Sequence, residues 1–201
     1  MIPAGITFDE ATHAYTVGGK PFASVTQVIA AAGLYGDAAK YFDDYSRDRG
    51  RLVHRIIELH VQGDLDPATV DPALAGYFAA YLAFEKDTDF YPGYLEHVLY
   101  SDVLRVAGRV DMIGPNWKGE GCCIIDLKTS ATPSPATGVQ LAGYEELYGA
   151  DPEGVKPKRL ALHLGKDGKY RLHKYEDRHD RDIFIMAVSI HNWKLANLKG
   201  G

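Results

Sequence analysis

Cysteine is scarce in this chain. Only two of its 201 residues are cysteines, Cys122 and Cys123, and they are adjacent. Neighbours can hardly bridge each other, so a disulfide framework is excluded and a reducing compartment is the natural reading. No Cys/His set has the spacing of a zinc or iron–sulfur centre. No apolar run approaches the ~18 residues of a membrane span. The opening MIPAGITFDE lacks the basic and apolar regions of a secretory signal. Positive charge is also short: 22 Lys and Arg stand against 27 Asp and Glu, a net charge of −5. A protein that coats nucleic acid through bulk charge is basic overall, so any nucleic-acid contact here must be local. The deficit is uneven, with 7 basic against 14 acidic residues over 1–100 and 15 against 13 over 101–201. An acidic cluster built for divalent cations would account for part of it.

What is present is ordinary for a soluble globular chain: 46% hydrophobic and 24% charged residues. No repeat or long linker divides it. The expectation is one domain over 1–201, comprising an N-terminal hairpin and helices (1–90), a sheet with a helix (91–150), and a C-terminal hairpin and helix (151–201). A first hairpin runs from Ile6 through a turn at Asp9-Glu-Ala to His13–Val17, followed by a turn at Gly18-Gly19. Ser24 or Thr26 caps a short helix. A longer helix covers about 37–61, with Asp37 near its start, a potential break at Gly50, and Leu52, Val53, Ile56, Ile57 and Leu59 on one face. Asp71-Pro72 opens another, with a core stripe of Leu74, Tyr77, Phe78, Tyr81, Leu82 and Phe84.

Period-2 segments follow at Tyr94–Ser101, Val103–Ile113 and Cys122–Thr129, the last nearly all apolar and so buried on both faces. A Ser/Thr/Pro loop leads to a helix over Ala136–Leu147, which ends near Gly149. Two strands, Arg159–Leu164 and Tyr170–Tyr175, flank the turn Lys166-Asp-Gly-Lys169. A terminal helix spans about 178–197, and Lys199-Gly-Gly frays. This order predicts an α/β (α+β) fold, a central mixed β-sheet flanked by helices.

The chemistry concentrates at Asp111 and Asp126-Leu-Lys128. Alternate strand residues share a face, so Asp126 and Lys128 point one way and Leu127 the other. Buried charge is costly unless paired. A plain ion pair at a strand end and a functional site are therefore equal readings of that pattern alone. Gly108 leaves room for close approach before Asp111. If the two strands pair, the carboxylates converge, a donor set suited to Mg²⁺ with waters and phosphate oxygens. A nearby lysine can orient or deprotonate water and offset charge on phosphate.

These residues resemble the signature of the PD-(D/E)XK nuclease superfamily, in its RecB-like and phage exonuclease branch. That branch has a Gly-x-x-x-His helix (Gly50-Arg-Leu-Val-His54), a strand Glu (Glu96), a Gly-x-(Ile/Val)-Asp element (Gly108-Arg-Val-Asp111), an (Asp/Glu)-x-Lys-Thr strand (Asp126-Leu-Lys-Thr129) and a Gln-x-x-x-Tyr helix (Gln140-Leu-Ala-Gly-Tyr144). Tyr15…Ser24-Val-Thr26 is similar to the opening of phage members. Five motifs in order span most of the chain. Three features depart from the pattern. Val110 replaces the loop proline, the second acid is Asp rather than Glu, and the four cluster cysteines of some relatives are absent.

The resemblance implies a restriction-endonuclease-like core and a Mg²⁺- or Mn²⁺-dependent DNA nuclease, an exonuclease of phage or bacterial recombination or repair. It implies His54, Glu96, Asp111 and Asp126 as metal ligands. Asp111, Asp126, Lys128, Gln140 and Tyr144 are the catalytic set, and Arg109, Thr129 and Ser130 the substrate contacts. DNA is the implied partner, with a recombination or single-strand-binding protein beside it and no membrane. The implied location is the cytoplasm of a bacterial or phage-infected cell, with the oligomeric state open.

Each residue also has a blander reading. His54 would be a half-buried helix histidine. Glu58, one turn on, either orients that imidazole or is solvated. Glu96 would pair with Arg105 or Arg109, and Gln140 and Tyr144 would be one side of an amphipathic helix. Thr129 and Ser130 would only end a strand. Arg105, Arg109, Lys156, Lys158, Arg159, Lys166, Lys169, Arg171 and Lys174 are candidate phosphate contacts, most of them solvated surface. Some tyrosines are candidates to stack on unpaired bases, and both cysteines read as buried strand residues. The competing functions are a non-catalytic DNA- or protein-binding module on this fold and a phosphohydrolase of small nucleotides.

Overall fold

The computed structural model describes residues 5–9, 14–36, 44–119, 121–130, 132–150 and 154–198. The expected turn at Asp9-Glu-Ala past Asp9, the helix start at Asp37 and the frayed end at 199–201 lie outside them. Strands β1 (Ile6–Asp9) and β2 (Ala14–Val17) pair antiparallel. Gly18 and Gly19, at φ +55° and +76°, make the two-residue turn into β3 (Lys20–Ser24), which pairs back on β2. The sequence reading has the turn but not this strand. Pro21 and a length of only five residues weaken its signal.

Ser24, not Thr26, caps helix α1 (Val25–Ala31): its hydroxyl accepts from the Gln27 N–H, and the Gln27 side chain returns the bond. Helix α2 (Asp44–Gln62) passes through Gly50 without a break. After a 3₁₀ turn at Pro67–Thr69, helix α3 (Ala75–Thr88) begins later than Asp71-Pro72 suggests. Asp71 instead accepts from the Ala73 N–H and closes a separate turn. Leu82 falls outside the core stripe and is exposed.

Strand β4 (Tyr94–Ser101) joins β5 (Val106–Pro115) through a turn over 102–105. β5 therefore starts three residues after Val103, which is 93% exposed. Arg105 at φ +55° and its N–H bond to the Ser101 carbonyl make that turn. Strand β6 (Cys122–Lys128) leads to helix α4 (Pro135–Tyr148), capped by Ser134 with Pro135 at its first position. Strands β7 (Lys158–Leu164) and β8 (Tyr170–Lys174) precede helix α5 (His179–Asn197).

One eight-stranded mixed sheet results, ordered β1-β2-β3-β5-β6-β7-β8, with β4 also on β5. It is the mixed sheet flanked by helices that the sequence predicts. Alternation in β6 sends Cys123, Ile125 and Leu127 into a core shared with α2 and α3, where Tyr81, Phe84 and Phe90 are fully buried. Ile124 goes to the opposite core, with α1, α4 and Phe184 of α5. Each such buried aromatic contributes on the order of 2–3 kcal/mol of burial. Cys122 is only half-buried, and both thiols are free.

The sheet forks at β5. β4 occupies one edge of β5 along Val106–Ile113. On the other edge β3 pairs only with Val106 and Ala107, and β6 only from Met112 onward. Gly108–Asp111 therefore lack a strand neighbour on that side, and a cleft opens there.

Arg159 proves not to be a surface base. It is buried, pairing with Glu145 and Asp180 at 3.1 Å each and donating to the Gly138 and Asp177 carbonyls, so it ties β7 to α4 and α5. Lys156 joins it at Glu145. Among the described residues no helix is long and apolar enough to cross a membrane.

Candidate active site

The cleft at the fork encloses about 190 Å³ and is lined by His54, Glu96, Gly108, Arg109, Asp111 and Tyr144, with Tyr15, Ser24, Val25 and Thr26 from the N-terminal segment. His54 projects from α2, Glu96 from β4 and Asp111 from β5. His54 Nδ1 stands 3.5 Å from Asp111 Oδ1 and 3.7 Å from Glu96 Oε1. Glu96 and Asp111 fall opposite each other in the β4–β5 register, whose ladder skips that pair. Glu96 holds its carboxylate there from a left-handed backbone, φ +45°, a conformation that costs a non-glycine residue on the order of 1 kcal/mol.

A second cluster sits next to it. Lys128 Nζ lies 2.6 Å from Asp126 Oδ2. The Gln140 side chain donates to Asp126 Oδ1 at 2.9 Å and to the Tyr144 hydroxyl at 3.1 Å, and its carbonyl accepts from Lys128 at 3.4 Å. Leu127 couples the two clusters through its backbone. Its N–H donates to Asp111 Oδ2 at 2.6 Å, and its carbonyl is 3.2 Å from His54 Nε2. The last β5–β6 pair is Met112 with Ile125, so one step further Asp111 and Asp126 face each other. The two aspartates are therefore opposite in register, but the Asp126 carboxylate is engaged by Lys128 and Gln140 and stands outside the His54–Glu96–Asp111 group.

Charge is tightly organised here. Burial opposes the imidazolium of His54, but Asp111 and Glu96 outweigh it and hold its pKa at about 10. Burial also works against ionised Asp111, yet His54, the Leu127 N–H and Lys128 keep it below the usual carboxylate range. At Asp126 burial wins and, with Asp111 nearby, lifts it above that range despite Lys128. Burial disfavours charge on Lys128, but Asp126 more than compensates and raises its pKa. Burial pushes the Tyr144 phenol far up and Tyr15 to about 12, so both stay neutral.

The donor set fits a divalent cation. Nitrogen and oxygen atoms of His54, Glu96 and Asp111 all lie within 4.8 Å of one another. Ligands about 2.1 Å from a shared cation stand roughly 3–4 Å apart. With Nε2–H donating to the Leu127 carbonyl, Nδ1 keeps its lone pair toward the carboxylates once neutral, the usual backing of a metal-bound histidine. Asp126 Oδ2, buried, has the Lys128 ion pair but no well-formed hydrogen bond.

Of the other expected residues, Arg109 lines the cleft, pairs with Glu96 at 2.8 Å and stacks over Phe8. Arg105 points to solvent. Glu58 does not orient His54; it pairs with Arg55 and accepts from Gln62. Thr129 and Ser130 lie at the end of β6 outside the cleft lining, Thr129 accepting from Arg49 and Ser130 donating to the Thr132 carbonyl. His163 was missed. It is buried in β7 beside Lys128 in register, and its Nδ1 donates to the Ser130 carbonyl at 2.8 Å. A lone polar residue in the apolar run Leu160–Leu164 was the only sequence signal for it.

Gly108 is fixed by contact. A Cβ there would meet Tyr144 Cε1 at 2.7 Å and Val25 Cγ2 at 3.0 Å. Gly108→Ala is expected to lower stability by about 1–3 kcal/mol in denaturant unfolding. It should also displace Tyr144 from Gln140.

None of the curated proteins compared with this chain matches it. Among solved structures, a protein from Eubacterium rectale described as a "putative exonuclease" shares 14% identity with a TM-score of 0.59, over 89% of this chain and 81% of its own. At that identity the likeness establishes the fold. The structure of SSO0001 aligns at 15% identity and a TM-score of 0.38, over 78% of this chain and 73% of its own, too distant to carry an argument. The sequence profile of the PD-(D/E)XK nuclease superfamily matches residues 70–191, more than half the chain and inclusive of Glu96, Asp111, Asp126, Lys128, Gln140 and Tyr144. The chain belongs to the PD-(D/E)XK nuclease superfamily.

Proposed function

We propose that this protein is a divalent-metal-dependent deoxyribonuclease, an exonuclease serving recombination or repair of phage or bacterial DNA. One observation carries the reading: Leu127 ties the His54–Glu96–Asp111 group to the Asp126–Lys128 pair through both of its peptide groups. Three carboxylates, an imidazole and a lysine thus stand in two linked clusters, one lining the cleft and one beside it, in a chain of a nuclease family.

In this reading His54, Glu96, Asp111 and Asp126 hold the cation. An imidazole among the ligands favours Mn²⁺ relative to Mg²⁺, which prefers oxygen donors and water. When bound, the cation supplies Lewis-acid polarisation of a phosphoryl oxygen and acidifies water. Lys128 donates hydrogen bonds and positive charge toward the attacking water and the developing phosphoryl charge. Its raised pKa suits that role and not that of a general base. Gln140 is the positioning residue, holding Asp126 and Lys128 in register, with Tyr144 behind it. Arg109 faces the substrate side, anchored by Glu96 and the Phe8 ring.

The test is end-labelled linear DNA and covalently closed circular DNA, each with Mg²⁺, with Mn²⁺ and with chelator. Linear DNA is expected to shorten from an end only when a cation is present, and circles to survive. DNA bound yet intact under every cation would instead indicate a binding module, and nicked circles an endonuclease.

A further inference from the structure

Helix α2 carries an arginine five residues ahead of His54 that no motif includes. The Arg49 guanidinium lies 5.7 Å from the ring centroid of Tyr45 and 5.7 Å from that of Tyr77. Its Nε donates to Thr129 Oγ1 at 3.4 Å, and Thr129 directly follows Lys128. The side chain is therefore held at the end of β6, one strand step of about 3.3 Å past Lys128. Along α2 it stands ~7.5 Å from His54.

Its environment differs from that of five other arginines of this chain. Acidic residues outnumber basic ones 27 to 22, and Arg51, Arg55, Arg109, Arg159 and Arg181 all pair with carboxylates. Arg49 pairs with none among the described residues, and its two terminal nitrogens have no hydrogen-bond partner there. Tyr45 is largely exposed, so the site opens to solvent. Aromatic stacking and the Nε bond fix the plane of the guanidinium and leave its Nη donors without a partner among the described residues. That is the preorganised fork that takes a tetrahedral oxyanion bidentately. Simple packing of the α2 start would not require an arginine with no carboxylate partner among the described residues.

We propose that Arg49 is a backbone-phosphate contact that grips the nucleic-acid strand one phosphate away from the group held at Asp126–Lys128. This rests on the nuclease reading above and adds a substrate contact to it. It places two guanidiniums on the substrate path, Arg109 at the Glu96 end and Arg49 past Lys128.

The experiment compares wild type, Arg49→Met and Arg49→Lys. Binding of a short DNA is measured against salt in the Asp126→Asn background, and cleavage kinetics are measured in the otherwise native protein. Arg49→Met is expected to reduce the log–log salt slope by about one and to raise KM far more than it changes kcat. Arg49→Lys should restore the slope, because it keeps the charge. A single neutral methylphosphonate, moved along the DNA, should weaken wild type at one position and leave Arg49→Met indifferent there. If wild type binds and cleaves while Arg49→Met keeps the salt slope and KM and loses only kcat or thermal stability, Arg49 merely braces Thr129 and the inference falls. If wild type neither binds nor cleaves DNA, the nuclease reading fails first and takes this one with it.

Discussion

Lys128→Met is expected to cut DNA hydrolysis by about 10²–10⁴-fold, the range for losing a positioned proton or charge partner in the transition state. DNA affinity should change little, because the Lys128 amine is engaged by Asp126 and Gln140 and does not line the cleft. The substitution also leaves Asp126 buried without its counter-ion, a situation that typically costs 3–5 kcal/mol unless the carboxyl takes up a proton. Asp126 already sits above the usual carboxylate range, so protonation is the easier route and the fold should survive. Asp126→Asn separates the two effects: it keeps the volume, removes the charge and should be equally inactive. Single-turnover cleavage with unfolding curves on the same samples reads both. Wild-type rates from either variant, with metal still required, would remove these side chains from the chemistry.

The second large effect concerns pH. Mn²⁺ binding to the metal-free protein should tighten by about tenfold per pH unit from about pH 7 to 9 and level off near pH 10, because a ligating imidazole must first lose its proton. His54 holds that proton up to about 10, well above its ordinary 6.5. Asp111 is held below the usual carboxylate range and adds no proton uptake in that window. His54→Asn should bind more weakly at high pH and show a flat profile. A flat profile in wild type would take His54 out of the ligand set. The same shift has a stability counterpart without metal. The folded state binds the His54 proton more tightly than the unfolded chain, so its contribution is complete below pH 6.5 and fades as pH rises through about 10.

Much of the site was legible because a strand has period two. Asp126-Leu-Lys128 placed both polar groups on one face and Leu127 on the other, and the α4-facing Gln140 confirms the side. The i, i+4 spacing of Gln140 and Tyr144 likewise put both on one side of α4, where the Gln140 amide donates to the Tyr144 hydroxyl. The division into two clusters was not legible. It depends on α2 lying close enough to β6 for His54 to reach the Leu127 carbonyl, and a peptide group leaves no trace in residue identity. Arg159 was misread for a related reason: its partners Glu145 and Asp180 come from two helices that only the folded chain brings together. β3 escaped notice because its parallel pairing with β5 is two residues long. The delayed start of β5 reflects a turn closed by Arg105, a residue type that carries no turn signal.

The left-handed backbone at Glu96 has an evolutionary corollary. Glycine would sit there without penalty, and any screen for heat resistance alone would favour it, discarding the carboxylate along with the awkward torsion. Directed evolution toward robustness and toward activity should therefore diverge first at this codon.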